Sequence, residues 1–307
     1  MTKLSKKQQV FFLLYLLPFL IFSQAESIFN GIKLNESLQS VSEKISLISE
    51  SSELITPNHP RFPLAKQKEE HLVCTTIKTS NGTIKKAVFT FSDNKLSYIE
   101  ARGNVINTFI SKRKDTSRNY MHYVVYSKDN LFVDKENDIA WIMVPEARHV
   151  NLFTWENPYL RNKNHSEPQE SPSAKLPEFI KMGGTLNELK PGLVTNSAFT
   201  SVEELDGSDP NAQTQINCFG VNYLGFSRKF EARFGDDQLN TVWILTAKAE
   251  EERIREALVK TYGKADYINE DWEIFANWTI GLRKDKPEIL LLTTEIGQFY
   301  KKELFKQ

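Results

Sequence analysis

Two stretches far apart in the chain carry one pattern. Phe91-Ser-Asp93-Asn-Lys-Leu96-Ser-Tyr-Ile99 and Phe234-Gly-Asp236-Asp-Gln-Leu239-Asn-Thr-Val242 both read F-x-D-x-x-L-x-x-[IV]. A cysteine precedes each, Cys74 by seventeen positions and Cys218 by sixteen. Further upstream, Leu34-Asn35-Glu36 precedes the first cysteine and Leu186-Asn187-Glu188 the second. Three matches in one order point to a duplicated unit, and self-similarity at long period constrains the whole fold.

The second copy shows what the unit is. Residues 228–234 alternate, with Phe230, Ala232 and Phe234 on one face and Lys229, Glu231 and Arg233 on the other. That is the period of a half-buried strand. A Gly-Asp-Asp-Gln turn follows, and 239–246 is rich in β-branched and aromatic residues that suit a pleated surface. The period then changes. Ile254, Ala257 and Leu258 recur at helical spacing, with Gly263 placed to end the helix. In the first copy, 71–79, Asn81-Gly82 and 86–91 predict a hairpin. The expected fold is α+β: two similar halves, each an antiparallel β-meander sheet with helices packed on one face.

Around the repeat the chain divides. Residues 1–25 read as a signal peptide: a lysine-bearing start, a short apolar run and Ser23-Gln24-Ala25 at the cut. Residues 26–160 form the first half, 161–175 a polar linker or loop, and 176–307 the second half. The chain holds 39 basic and 39 acidic residues. Removing the three leader lysines leaves 36 against 39, a mild excess of acid that argues against a nucleic-acid partner. No second apolar run approaches membrane length, so no stable transmembrane segment is expected after cleavage.

Gly31-Ile32-x-Leu34-x-x-Ser37 at the start of the first half, and helix-Tyr262-Gly263-strand-strand at the end of the second, resemble small α+β modules of the bacterial envelope. The outer-membrane assembly lipoproteins and the tandem β-lactamase inhibitor proteins are examples. The resemblance implies a fold and no activity.

Residues able to do chemistry are few. His71 and Cys74 lie three apart on one strand, so they point to opposite faces and do not share a metal. The Asp206 to Asn211 stretch lacks the order of a calcium loop and reads as an Asp-Pro turn. Glu250, Glu251 and Glu252 read as a solvated helix start. His149 has no nucleophile elbow to pair with. Cys74 and Cys218 admit three readings: a disulfide across the halves, two buried thiols, or a reactive thiol. No catalytic residue, metal or cofactor is expected.

Recognition is the remaining expectation. Residues 272–282 alternate as one strand, with Trp272, Ile274, Ala276, Trp278, Ile280 and Leu282 facing the core. Asn277 and Arg283 then share the opposite face with Glu231 and Arg233. Trp155 and Tyr159, in an aromatic run before the linker, have two readings: the run packs back onto the first sheet, or it stands exposed as a set of interface anchors. The sequence thus points to an exported, periplasmic or secreted, non-catalytic binding or adaptor protein. Its partner is an unknown protein or envelope component, met through a sheet surface. The alternatives are an envelope hydrolase with a site assembled only in space, or an inhibitor of a secreted enzyme.

Overall fold

The computed structural model describes residues 29–150, 152–161 and 173–307. The leader, and most of the polar 161–175 stretch, lie outside the described residues. The first half runs α1 (Leu38–Ser46), β1 (Ser51–Ile55), β2 (Glu69–Thr79), β3 (Gly82–Ser92), β4 (Lys95–Arg102), β5 (Arg118–Tyr120), β6 (Tyr123–Tyr126), β7 (Leu131–Asp134), β8 (Ile139–Met143), α2 (Pro145–His149) and α3 (Pro158–Arg161). The second runs α4 (Leu186–Thr195), β9 (Phe199–Glu204), β10 (Thr214–Tyr223), β11 (Phe226–Gly235), β12 (Gln238–Leu245), α5 (Glu251–Tyr262), β13 (Tyr267–Ile268), β14 (Trp272–Phe275), β15 (Ile280–Arg283), β16 (Glu288–Leu292) and α6 (Thr294–Phe299).

Each half builds one eight-stranded sheet. The orders are β1-β2-β3-β4-β8-β7-β6-β5 and, read the same way, β9-β10-β11-β12-β16-β15-β14-β13. The repeat extends to register. Cys74 pairs with Ala87 on β3, and Cys218 with Phe230 on β11. Phe91 opposes Leu96, and Phe234 opposes Leu239, each just past a bulge that begins at Thr90 and at Arg233. The turns that follow hold two adjacent residues at positive φ, Asp93 and Asn94 at 49° and 66°, Asp236 and Asp237 at 50° and 60°. That is the type I′ geometry whose twist matches the flanking strands.

The third match in the sequence is out of register. Ser37 caps α1 and Thr185 caps α4, the latter in a capping box with Glu188. Leu96 exchanges backbone hydrogen bonds with Asn35 and Glu36, and Leu239 with Gly183 and Gly184. Leu34 is therefore equivalent to Met182, and the two Leu-Asn-Glu triplets differ by one helical turn. The true match is Ile32-Lys33-Leu34-x-x-Ser37-Leu38 with Ile180-Lys181-Met182-x-x-Thr185-Leu186.

Helices cover one face of each sheet. Val41 and Ile45 of α1 pack on Leu72, Cys74, Phe89, Phe91 and Leu96. Leu189 and Leu193 of α4, with Ile254 and Leu258 of α5, pack on Cys218, Phe230, Ala232, Phe234 and Leu239. This corrects the disulfide reading. Cys74 and Cys218 are both free and buried, and each points into the core of its own half. Burial pushes their thiols up to about 12 and about 11. We expect neither to react with a thiol reagent in the native protein, and both to react in denaturant. A fast-reacting native thiol would contradict this placement.

Two turns also differ from expectation. The β2–β3 loop is Ser80–Asn81, because Thr79 pairs with Gly82. The alternating 272–282 stretch is a hairpin and not one strand. Ala276, Asn277 and Trp278 all take positive φ, and Phe275 pairs with Ile280. This pairing matches odd positions on β14 with even ones on β15. Phe275, Ile280 and Leu282 therefore reach the helix-side core, while Trp272 and Ile274 face away from it.

The halves meet where the outer face of the first sheet abuts the start of β11. Phe226 and Ala247 join a cluster with Phe62, Tyr98, Trp141 and Phe153. Beneath the junction, Arg228 grips Glu250 through two 2.8 Å bonds, both side chains almost wholly buried. Arg253 on α5 donates to the carbonyls of Phe62 and Ala65 across the junction. Glu250 is therefore no solvated helix start: it is one acid of the run turned inward.

Candidate functional site

The outer faces of the two sheets, away from α1, α4 and α5, are treated differently. In the first half the chain returns over its own sheet. Residues 152–160 run across β2, β3 and β4, and Tyr98 donates to the carbonyls of Leu152 and Trp155 at 2.7 and 3.1 Å. Trp155 packs among Phe62, Tyr98 and Phe226 at ring separations of 5.3, 5.5 and 5.1 Å. Tyr159 lies 4.8 Å from the ring of His71. Both aromatics are half-buried packing residues. Trp155 sits at the Phe226 end of β11, about seven strand positions from Arg233, and Tyr159 lies against His71 and Val88 of the first sheet.

The seat under this segment is a buried polar network. His71 Nε2 lies 2.6 Å from Glu69, whose other oxygen accepts the amides of Arg61 and Phe62. His71 Nδ1 meets Thr90 Oγ1 at 3.1 Å and Asn157 Nδ2 at 3.0 Å. The Asn157 amide donates to Glu100, which also accepts from Arg102. Burial works to raise Glu69, but the His71 contact and the two amides outweigh it and hold this carboxyl below its usual range. Burial wins at Glu100 and lifts it to about 7 against Arg102 and the Asn157 amide. Thr90, His71 and Glu69 have the connectivity of a hydroxyl–imidazole–carboxylate relay. However, Thr90 and His71 are fully buried, and Asn157 fills the space in front of them. The network fixes the covering segment.

In the second half the face stays half exposed. One ladder runs Glu231–Trp243–Leu290–Gly281–Ile274 across five strands. The next carries Glu288, Arg283 and Trp272. Arg233 bonds Gln215 and Glu231, and Lys229 bonds Glu231. Arg283 takes Asp285 in two bonds and approaches Glu288 at 3.6 Å. Its guanidinium lies over both Trp243 and Trp272, at 5.9 and 5.5 Å. So Arg233, Glu231 and Arg283 share this face as the alternation implied. Asn277 does not. It sits in the β14–β15 turn, donating to Asp266 and accepting from Gln298.

The distal part of the face opens into a cavity of about 480 Å³, walled by Trp243, Trp272, Trp278, Tyr267, Tyr300 and Phe305, with Arg283, Asp271 and Asn269 also in its lining. The chain after β16 roofs it. Gly297 lets α6 approach the Trp278 turn, because a Cβ there would lie 2.2 Å from the Trp278 carbonyl oxygen. Phe305 then reaches Tyr267, Trp272 and Trp278 at 5.4, 6.1 and 5.3 Å. Sequence reasoning misses the ring set. Alternation alone puts Trp272 and Trp278 in the helix-side core, and Tyr300 and Phe305 lie on a different element. The positive-φ turn is the hidden signal, since Ala-Asn-Trp carries no glycine to announce it.

His149, the other histidine of interest, is exposed at a shallow hollow with Arg118, Arg148 and Lys229. The carboxylates of Asp206 and Asp209 accept the amides of Ser208 and Asn211 within their own turns. No helix among the described residues is long and apolar enough to cross a membrane. No protein-family model matches the chain, and neither the curated proteins nor the solved structures gave a match.

Proposed function

We propose that this chain is an exported, non-catalytic binding or adaptor protein that meets a protein or envelope component through the outer face of its second sheet. The observation that carries this reading is the contrast between two copies of one fold. The first copy closes its outer face with its own 152–160 segment over a buried polar network, whereas in the second the segment after β16 covers only the distal part, burying Leu290 and Leu292 under Ile296. The second leaves Arg233, Glu231 and Arg283 part exposed, at 30, 17 and 24 % of their side-chain surface, beside a cavity of aromatic rings. Trp, Tyr and Arg in a partly enclosed hollow are the residues that dominate binding energy at interfaces. Export rests on the three-part leader at 1–25.

The test is capture from the exported fraction of the source cell by the purified protein. Arg283 is tied to two acids, so neutral replacement is cleaner than charge reversal. Arg233→Gln/Arg283→Gln should lose the captured partner while the melting temperature moves by no more than about 3 °C, since half-exposed ion pairs contribute about 1 kcal/mol or less. Undiminished capture by the double variant would sink the reading.

A further inference from the structure

The cavity differs from the matching place in the first half by what has been taken out. The ladder Val88–Glu100–Trp141–Phe132–Val125 of the first sheet becomes Glu231–Trp243–Leu290–Gly281–Ile274 in the second. In the first half the Phe132 ring fills the space, and Phe153 stacks on it at 5.1 Å and 3°. In the second, glycine stands where Phe132 stood and leucine where Trp141 stood. A Cβ at Gly281 would come within 3.0 and 3.1 Å of Cζ3 and Cε3 of Trp272. The glycine therefore lets the six-membered ring of Trp272 lie across the strand. Trp243 stands 6.3 Å from it at 52°. The result is a hollow with indole walls on a bare floor.

Its polar groups are balanced. The Arg283 charge is already met by Asp285 and Glu288. Asn269 spends its side-chain oxygen on the amides of Asp271 and Trp272 and turns its NH₂ toward Tyr267. The Asp271 carboxylate takes part in no hydrogen bond among the described residues, and it stands at the rim as an acceptor. The hollow thus offers aromatic faces, a carboxylate and phenol hydroxyls; Arg283, the cation of its described lining, is already paired, and Lys301 Nζ is committed to the Trp278 ring, 5.5 Å above it.

We propose that this cavity is a binding site for a short neutral saccharide. A pyranose ring presents one face of C–H groups, which packs on the electron-rich face of an indole, and a rim of hydroxyls, which bond to carboxylate and phenol groups. The volume lies within the roughly 300–1,000 Å³ of ligand-binding hollows. The proposal rests on the outer-face reading above and names what the aromatic cavity on that face takes.

The experiment follows tryptophan emission, since Trp243, Trp272 and Trp278 all line the site. Purified protein is titrated with maltotetraose, cellotetraose and chitotetraose into the millimolar range. At least one should give a saturable change. Trp272→Ala should weaken it about tenfold or more, and Gly281→Phe, which restores the first-half residue, should abolish it. Asp271→Ala at the exposed rim is the variant that keeps the fold safe, and it should weaken binding about fivefold. Circular dichroism and melting temperature are recorded for all three. No saturable change with any of the three sugars overturns the proposal, as does binding that Trp272→Ala and Asp271→Ala both retain. Binding of a blocked Leu-Phe-Thr-Trp peptide, the 152–155 sequence, in place of any sugar overturns it in favour of a polypeptide anchor. If no sugar binds while Arg233→Gln/Arg283→Gln abolishes partner capture, the outer-face reading stands and the saccharide assignment alone falls.

Discussion

Arg228→Met is expected to lower the unfolding free energy by about 3–5 kcal/mol, because it strands a buried carboxylate. Glu250 is fully buried, and Arg228 supplies two of its bonds. Burial works to raise Glu250, but the Arg228 charge and hydrogen bonds outweigh it and hold the carboxyl below its usual range. After the substitution Glu250 keeps the Ala247 amide and the Arg253 guanidinium at 3.5 Å. The Tyr223 carbonyl, which accepts from Arg228 Nε, also loses its donor. The loss should show as a lower urea midpoint at unchanged slope. Arg228→Met/Glu250→Leu should recover much of it, since a matched apolar pair avoids the cost of desolvating two charges. A single variant within about 1 kcal/mol of wild type, on the scale of a half-exposed pair, would show that this ion pair does not hold the junction.

The second large effect is on pH. The folded-state pKa of Glu100 is about 7 and its ordinary value 4.5. Between those values the folded chain holds a proton that the unfolded chain has released. Stability should therefore fall as pH rises from 4.5 to 7 and level off above, by roughly 3 kcal/mol for this group alone. Glu69 and Glu250, both held low, act in the opposite sense: their contribution is present above 4.5 and lost as pH falls through their folded values. Glu100→Gln keeps an acceptor for the Asn157 amide, removes the charge and gives up the oxygen that accepts from Arg102, which retains Glu156. It should flatten the slope between about pH 5 and 7. A Glu100→Gln profile parallel to wild type across that range would contradict the assignment.

The repeat was legible because strand, bulge and I′ turn need particular residues at fixed spacing, and Phe91-x-Asp93 and Phe234-x-Asp236 supply them twice. The helix-side cores followed from period alone, as at Phe230, Ala232 and Phe234 with Ile254 and Leu258. Arg233, Glu231 and Arg283 fall on one face for the same reason. What was illegible depended on events without a local signal. The Ala276-Asn277-Trp278 turn reverses the phase of an alternation that reads as continuous, which moves Trp272 from core to cavity and Asn277 off the face. Glu250 looks like its neighbours Glu251 and Glu252 until Arg228, far away in sequence, is seen beside it. For Trp155 and Tyr159 the packing reading holds, and the sequence lacked only the seat, since His71 lies far upstream of the segment that folds over it.

The central claim is that recognition happens on the outer face of the second sheet. Hydroxyl-radical footprinting of the protein alone and with its captured partner tests it directly, because oxidation reports side-chain exposure residue by residue. The account predicts protection of Trp243, Trp272 and Tyr300, with Tyr120, Met121 and the other exposed side chains of the first half unchanged. Protection confined to the first half, with Trp243 and Trp272 oxidised as fast as in the free protein, would contradict it.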